Sequence, residues 1–285
     1  MHNELLEWLN HPPESAWAYL LADNSACDGD WLAKRVDGAP QRRGPLVRKL
    51  ERTQLAHEPL WGRIEDDEEG AVAPLLIQWQ DGQKNAAFLT DLLVASQGKC
   101  ALSLLYSREP LPVVAARLCL RAEISLLGDE YLLRYFDTRI LLELMSCLKP
   151  EQGASFTAMT EGWRYRDRDD QWQNLPCAAF SPQESNLPLE FDEAQQQAML
   201  QIGSADRIDS AMSRLLEESP LDSLSPGERY QWIKARQDDA MQYQIVEHSG
   251  QLHFCLHALQ LGDDFHHDSQ WEDTIANFRV PQVTA

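Results

Sequence analysis

The chain has 285 residues, 44% of them hydrophobic and 25% charged, the make-up of a globular protein long enough for two compact units. Its formal net charge of −20 at pH 7 repels phosphate backbones and anionic lipid, so no nucleic-acid or membrane partner is expected, whereas a basic partner is compatible. The six cysteines (Cys27, Cys100, Cys119, Cys147, Cys177 and Cys255) are scattered with no C-x-x-C, most of them among apolar neighbours, which fits a reducing compartment. The opening "MHNELLEWLNHPPE" is acidic and lacks a long apolar core, and no apolar run is long enough to span a bilayer. The expectation is a cytoplasmic, soluble chain.

In chain order, "SAWAYLLAD" (15–23) reads as a buried strand, "ACDGDWLAKRV" as a short helix and "GPLVRKL" as a strand. "EDDEEGAV" (65–72) reads as an acidic loop, "APLLIQWQ" (73–80) as a buried strand, and "QKNAAFLTDLLVASQG" as a helix with Gly98 near its C-cap. "KCALSLLYS" (99–107) is a third buried strand. "EPLPVVAARLCLRAEISLLG" places Leu111, Val114, Ala115, Leu118 and Ala122 on one helical face, with Pro110 and Pro112 at its start.

Gly128-Asp129 then turns the chain into "EYLLRYF", read as a strand that runs straight into a helix burying Leu141, Leu144, Met145 and Leu148 and stopped by Pro150. "EGWRYRDRDDQWQNLP" alternates aromatic and polar residues and reads as a hairpin. After the loop-like, proline-bearing "PCAAFSPQESNLPLEF" the pattern is helical: "FDEAQQQAMLQI", "ADRIDSAMSRLLEES", "SPGERYQWIKARQDDAMQYQIV" with Ser225 as N-cap, and "SGQLHFCLHALQLG". The fold class expected is a mixed α/β lobe over 1–180 followed by an all-helical lobe over 185–285.

Familiar catalytic signatures are missing: the chain has no G-x-G-x-x-G, P-loop, G-x-S-x-G or H-E-x-x-H. His253 and His257 share a helical flank, followed by Asp263, Asp264, His266, His267 and Asp268. That is a candidate transition-metal set and would suit a metal-dependent hydrolase. Set against it, Leu252, Cys255, Leu256 and Leu259 form the buried stripe and leave both histidines at its edge, so no metal or other cofactor is expected.

The segment Arg134-Tyr-Phe-Asp137-Thr-Arg139 sets three charges in an apolar stretch and admits three roles. Asp137 could act as an acid or base beside anion-clamping arginines. It could instead cap the following helix while Arg134 or Arg139 pairs with an inward carboxylate such as Asp23. The arginines could also read a partner's carboxylates. The structural brace is favoured. Trp163, Tyr165 and Trp172 are candidate partner-binding aromatics: the net charge of −20 argues against their stacking on nucleic-acid bases, and they are expected to close the edge of the lobe or to offer a peptide-binding edge strand.

Taken together, "WAYLLAD", "APLLIQW", "LLRYFDTRILLELM" and "GWRYRDRDDQW", with "LGDDFHHDSQW" as a weaker closing segment, resemble the type VI secretion adaptor chaperones. Members carry a domain of once-unknown function and are often encoded beside the VgrG spike protein and a toxic effector. The resemblance implies a two-lobed, non-enzymatic cytoplasmic adaptor that binds a cognate effector and promotes its loading onto VgrG. It marks Tyr19, Leu21 and Asp23 in the first strand, and Arg134, Tyr135, Phe136, Asp137 and Arg139 in the hallmark. Thr138 departs from the family's usual proline. An acidic immunity or mimic protein that blocks a basic toxin is the alternative that the charge suggests.

Overall fold

The computed structural model describes residues 2–27, 35–36, 39–40, 45–61, 73–181 and 189–279. They divide into two compact units, residues 1–200 and 201–285. The first is mixed α/β around a six-stranded antiparallel sheet, and from residue 193 onward the described residues are helical.

The first unit opens with α1 (His2–Asn10), β1 (Trp17–Ala22) and the single-turn α2 (Asn24–Cys27). The short pair β2 (Arg35–Val36) and β3 (Ala39–Pro40) precedes α3 (Pro45–Glu51), β4 (His57–Pro59), β5 (Leu75–Gln78), α4 (Gln83–Ala95), β6 (Leu102–Ser107) and α5 (Leu111–Ala122). A hairpin of β7 (Glu123–Leu126) and β8 (Asp129–Leu132) leads to α6 (Thr138–Cys147), α7 (Pro150–Thr157), β9 (Gly162–Arg166), β10 (Trp172–Leu175) and α8 (Glu193–Leu200).

The sheet order is β10-β9-β6-β1-β5-β4. Its central strands are mostly apolar and buried along nearly their whole length because both faces are covered. Ala18, Leu20 and Ala22 share one face with Leu75, Ile77, Leu102, Leu104 and Tyr106, and pack with Leu5 and Leu9 of α1, Val47 and Leu50 of α3, and Phe88, Leu89 and Leu92 of α4. On the opposite face, Trp163 of β9 packs with Tyr135 and with Phe156 of α7. Burial on two sides removes the polar alternation expected of a half-exposed antiparallel strand.

Four local expectations are corrected. "GPLVRKL" forms helix α3, not a strand: its chain enters at Pro45, buries Val47 and Leu50 three apart, and exposes Arg48 and Lys49 in the last turn. The α5 pattern stops at Ala122, because Glu123-Ile-Ser-Leu126 alternates exposed and buried with the period of a strand. "EYLLRYF" is not a strand entering the helix directly; β8 ends at Leu132, is exposed throughout, and pairs only with β7 among the described residues. Pro150 does not merely end α6; it opens α7 at a position where its missing N–H is tolerated. The acidic loop at 65–72 and most of the helix expected over 26–36 lie outside the described residues, although Arg35–Val36 pair as a strand.

The helical unit holds α9 (Ser204–Leu215), α10 (Pro226–Gln242), α11 (His248–Leu261) and α12 (Glu272–Asn277), with short 3-10 turns between them. Ser225 caps α10: its hydroxyl accepts from Glu228 N–H, and the Glu228 carboxylate accepts from Ser225 N–H. A buried amide relay joins three helices, with Gln237 Nε2 donating to Ser204 Oγ (2.7 Å) and Gln251 Oε1 (2.8 Å). Gly250 lets α11 meet the end of α12, since a Cβ there would lie 2.1 Å from the Phe278 carbonyl oxygen.

Burial is the leading cause of the lowered pKa of both His248 and His266. Arg207 adds to it at His248; His267 and Arg236 add to it at His266, against Asp239. Their folded pKa values lie below the unfolded value, so this contribution is complete above about pH 6.5 and is lost as pH falls below it. Lowering the pH from about 7.5 to about 5.5 should therefore lower the thermal midpoint, and by less in the H248Q/H266Q double variant. Circular dichroism melts at the two pH values check this; equal drops would exclude the two histidines as the cause.

Candidate functional site

The hallmark segment lies where α6 begins, and each of its side chains has a defined place. Asp137 is the N-cap: its Oδ1 accepts from the Arg139 N–H at 3.1 Å, meeting one of the donors that a helix start leaves without an intrahelical partner. Arg139 folds back on the same carboxylate through Nε (2.9 Å) and Nη2 (2.7 Å), a two-pronged pair. Thr138 is buried and makes two bonds outward from the helix. Its N–H donates to the Cys100 carbonyl at 2.8 Å, just before β6, and its hydroxyl donates to the Arg166 carbonyl at the end of β9. A proline at 138 could make neither bond.

Asp23 directly follows β1 and is only 1% exposed. Its Oδ1 accepts from Ser25 Oγ (2.6 Å) and from the Ala26 N–H (3.1 Å), capping α2, and its Oδ2 accepts from Arg134 Nη2 (3.1 Å). The Arg134 side chain is half exposed, so solvent screens this pair and its contribution is about 1 kcal/mol or less. Arg134 also lies over the Phe136 ring. Tyr135 is fully buried: its hydroxyl donates to the Leu118 carbonyl at 2.6 Å, and its ring meets Phe136, Phe156 and Trp163 edge-on. Tyr19 reaches across from β1 to donate to the Glu109 carbonyl (2.7 Å), and Leu21 is buried in the sheet. Burial pushes the Tyr19 and Tyr135 hydroxyls above their ordinary range, so both remain protonated donors.

Arg166 is a central member of this corner that the sequence reading did not single out. It is buried, and its Nη1 donates to the Leu93 carbonyl (2.9 Å) and Ser96 Oγ (3.2 Å) at the end of α4. Its Nε lies 3.0 Å from Asp170 Oδ1, and the Asp170 carboxylate accepts from the Gly98 N–H. The one sequence signal was an arginine four residues before an aspartate in "RDRDD". Beside it, Cys100 holds a left-handed φ of 48°, and burial, only partly offset by Arg139 and Arg168, pushes its thiol up to about 11. At neutral pH that sulfur is a protonated thiol, the less nucleophilic form.

Trp163 and Tyr165 are core residues at 1% and 6% exposure, so as placed they offer no open face to a partner; Trp172 is half-buried. The histidines of the candidate metal set pack against rings. His253 stacks on Phe278, His257 meets Phe278 and Trp271, and His266 lies against Tyr243 and Phe254. Among the described residues no group of three or more His, Cys, Asp and Glu could hold a metal ion, and no helix is long and apolar enough to cross a membrane.

Residues 36–155 match the model of a family described as Domain of unknown function (DUF4123). The chain carries a DUF4123 domain. No curated protein and no solved structure matches it. The DUF4123 match contains Arg134 to Arg139 and the whole of α6, while two residues that anchor them, Asp23 and Arg166, lie outside it. The corner is thus assembled from the matched segment and its flanks.

Asp137→Ala removes the cap and should cost about 1–2 kcal/mol, whereas Arg134→Ala, which breaks a screened pair, should cost less than about 1 kcal/mol. Thr138→Pro should cost about 2 kcal/mol, because two buried carbonyls lose their donors. Urea denaturation of the three variants checks the ranking; an Arg134→Ala loss exceeding that of Asp137→Ala would contradict it.

Proposed function

We propose that this chain is a cytoplasmic adaptor that binds a cognate secreted effector and promotes its loading onto the VgrG spike of a type VI secretion system. The observation that carries the reading is the hallmark segment "LLRYFDTRILLELM": it lies within the DUF4123 match and forms the corner joining β1, β6, β9 and α6. In this reading the protein acts by binding rather than by catalysis, and the corner's charges serve the fold that displays the binding surface.

The mechanism follows from surface chemistry. An effector segment that is poorly soluble alone gains from covering apolar area, at roughly 25 cal/mol per Å². The adaptor's net charge of −20 keeps the complex soluble and speeds encounter with a basic segment. Release follows when the spike offers the effector a better partner.

Affinity capture with the tagged full chain from its native cytoplasm, read by mass spectrometry, should recover one secreted effector, and purified VgrG should displace it. Recovery of no effector, or a captured effector that VgrG leaves in place, would contradict this function. Inhibition of the effector's activity in solution without delivery would point to an immunity protein instead.

A further inference from the structure

The β7–β8 hairpin is built unlike the rest of the first unit. Its register pairs Glu123 with Leu132, Ile124 with Tyr131, Ser125 with Glu130 and Leu126 with Asp129, leaving Leu127-Gly128 as a two-residue turn. Both turn residues are left-handed, with φ of 56° and 93°. Such a turn favours Asn-Gly or Gly-Gly; a leucine at its first position is strained and, at 57% exposure, also leaves apolar area in water. The turn is nevertheless held, because the Leu127 N–H donates to Gln196 Oε1 of α8 at 2.9 Å. Ile124 and Leu126 face inward, so the pleat turns Glu123, Ser125, Glu130 and Leu132 outward. Leu132, 53% exposed, stands directly across from Glu123 and two residues from Glu130. Tyr131 is exposed as well, and residues 123–125 and 130–132 line a groove of about 480 Å³. β8 pairs with β7 on one edge and, among the described residues, with no strand on the other.

We propose that the outer edge of β8 is a docking site for an extended segment of a partner protein in which lysine or arginine alternates with apolar residues. The segment adds as a third strand. Its main chain pairs with β8; its apolar side chains cover Tyr131 on one face, and on the other its cations meet Glu130 and lay their aliphatic stems over Leu132 toward Glu123. Charge complementarity selects this occupant: an acidic strand would set like charges side by side, whereas alternating cations all fall on the face that carries Glu130 in β8 and Glu123 behind it in β7. The site deepens the adaptor reading, which it uses only to say whose segment binds, namely the effector's.

The test uses the full chain and a fluorescent peptide of about ten residues alternating lysine and valine, with a glutamate–valine peptide as control, followed by anisotropy. The lysine–valine peptide should bind, and E123K/E130K should weaken it about tenfold or more. E217K/E218K, which changes the net charge by the same amount at exposed acids of the helical unit, should leave binding unchanged. Leu132→Ser should weaken it several-fold, its fold verified by circular dichroism. Absence of binding, equal weakening by both charge variants, or no effect of Leu132→Ser would overturn the site. So would a dimer in sedimentation that Leu132→Ser dissolves, because a second copy would then be the occupant. If capture recovers no effector while the peptide binds in the expected pattern, the site stands and the adaptor reading fails.

Discussion

The start of α6 is the constraint on which the first unit depends. A helix N-terminus brings donors that its own turns cannot satisfy, and here it is driven into the junction of β6 and β9, where those donors must find partners. Asp137 and Thr138 supply the solution. One takes a helix donor into its carboxylate; the other sends its N–H to Cys100 and its hydroxyl to Arg166. Arg166 extends the same network to the end of α4 on the other side of the sheet, and Asp170 carries it to Gly98. Two helical layers and the sheet are thereby fixed by a few polar groups, with the Tyr135–Phe156–Trp163 rings packed behind them.

Placement of charge separates two kinds of surface. At the corner, carboxylates and guanidinium groups face one another at hydrogen-bond distance, and Asp23, Asp137 and Arg166 are almost removed from water. At the β7–β8 hairpin the arrangement is inverted: Glu123 and Glu130 are exposed beside exposed Leu132 and Tyr131. The corner's charges are engaged within the fold, whereas those of the hairpin point to solvent. In the proposed adaptor role, this would divide a supporting frame from a displayed edge.

Legibility in the sequence followed how local each signal was. The three buried strands, the one-sided α5 stripe and the Ser225–Glu228 cap could be read directly, because hydrophobic period and capping chemistry are local. The Asp137 cap and the Asp23–Arg134 pair were among the options that the residues offered. Arg166 was missed because its burial comes from the end of α4, about 70 residues away in sequence. Trp163 and Tyr165 could from their sequence either close the edge of the lobe or offer an edge strand; both are buried, Trp163 against Tyr135 and Phe156 of α7, which come from other parts of the chain. The β7–β8 hairpin was hidden inside an apparently continuous helix and strand. Its turn is Leu-Gly rather than Asn-Gly, so the usual sign of a hairpin was absent, and its period of two began only at Glu123.

The central claim is that the corner holds the fold while the hairpin contacts the partner. Hydrogen–deuterium exchange of the full chain, free and saturated with the effector proposed as its partner, tests this most directly. The account predicts that amide protection on binding concentrates at residues 123–132 and that Thr138, Arg139 and Ile140 are already protected in the free chain and change little. Protection gained at residues 134–140, with residues 123–132 unchanged, would contradict it.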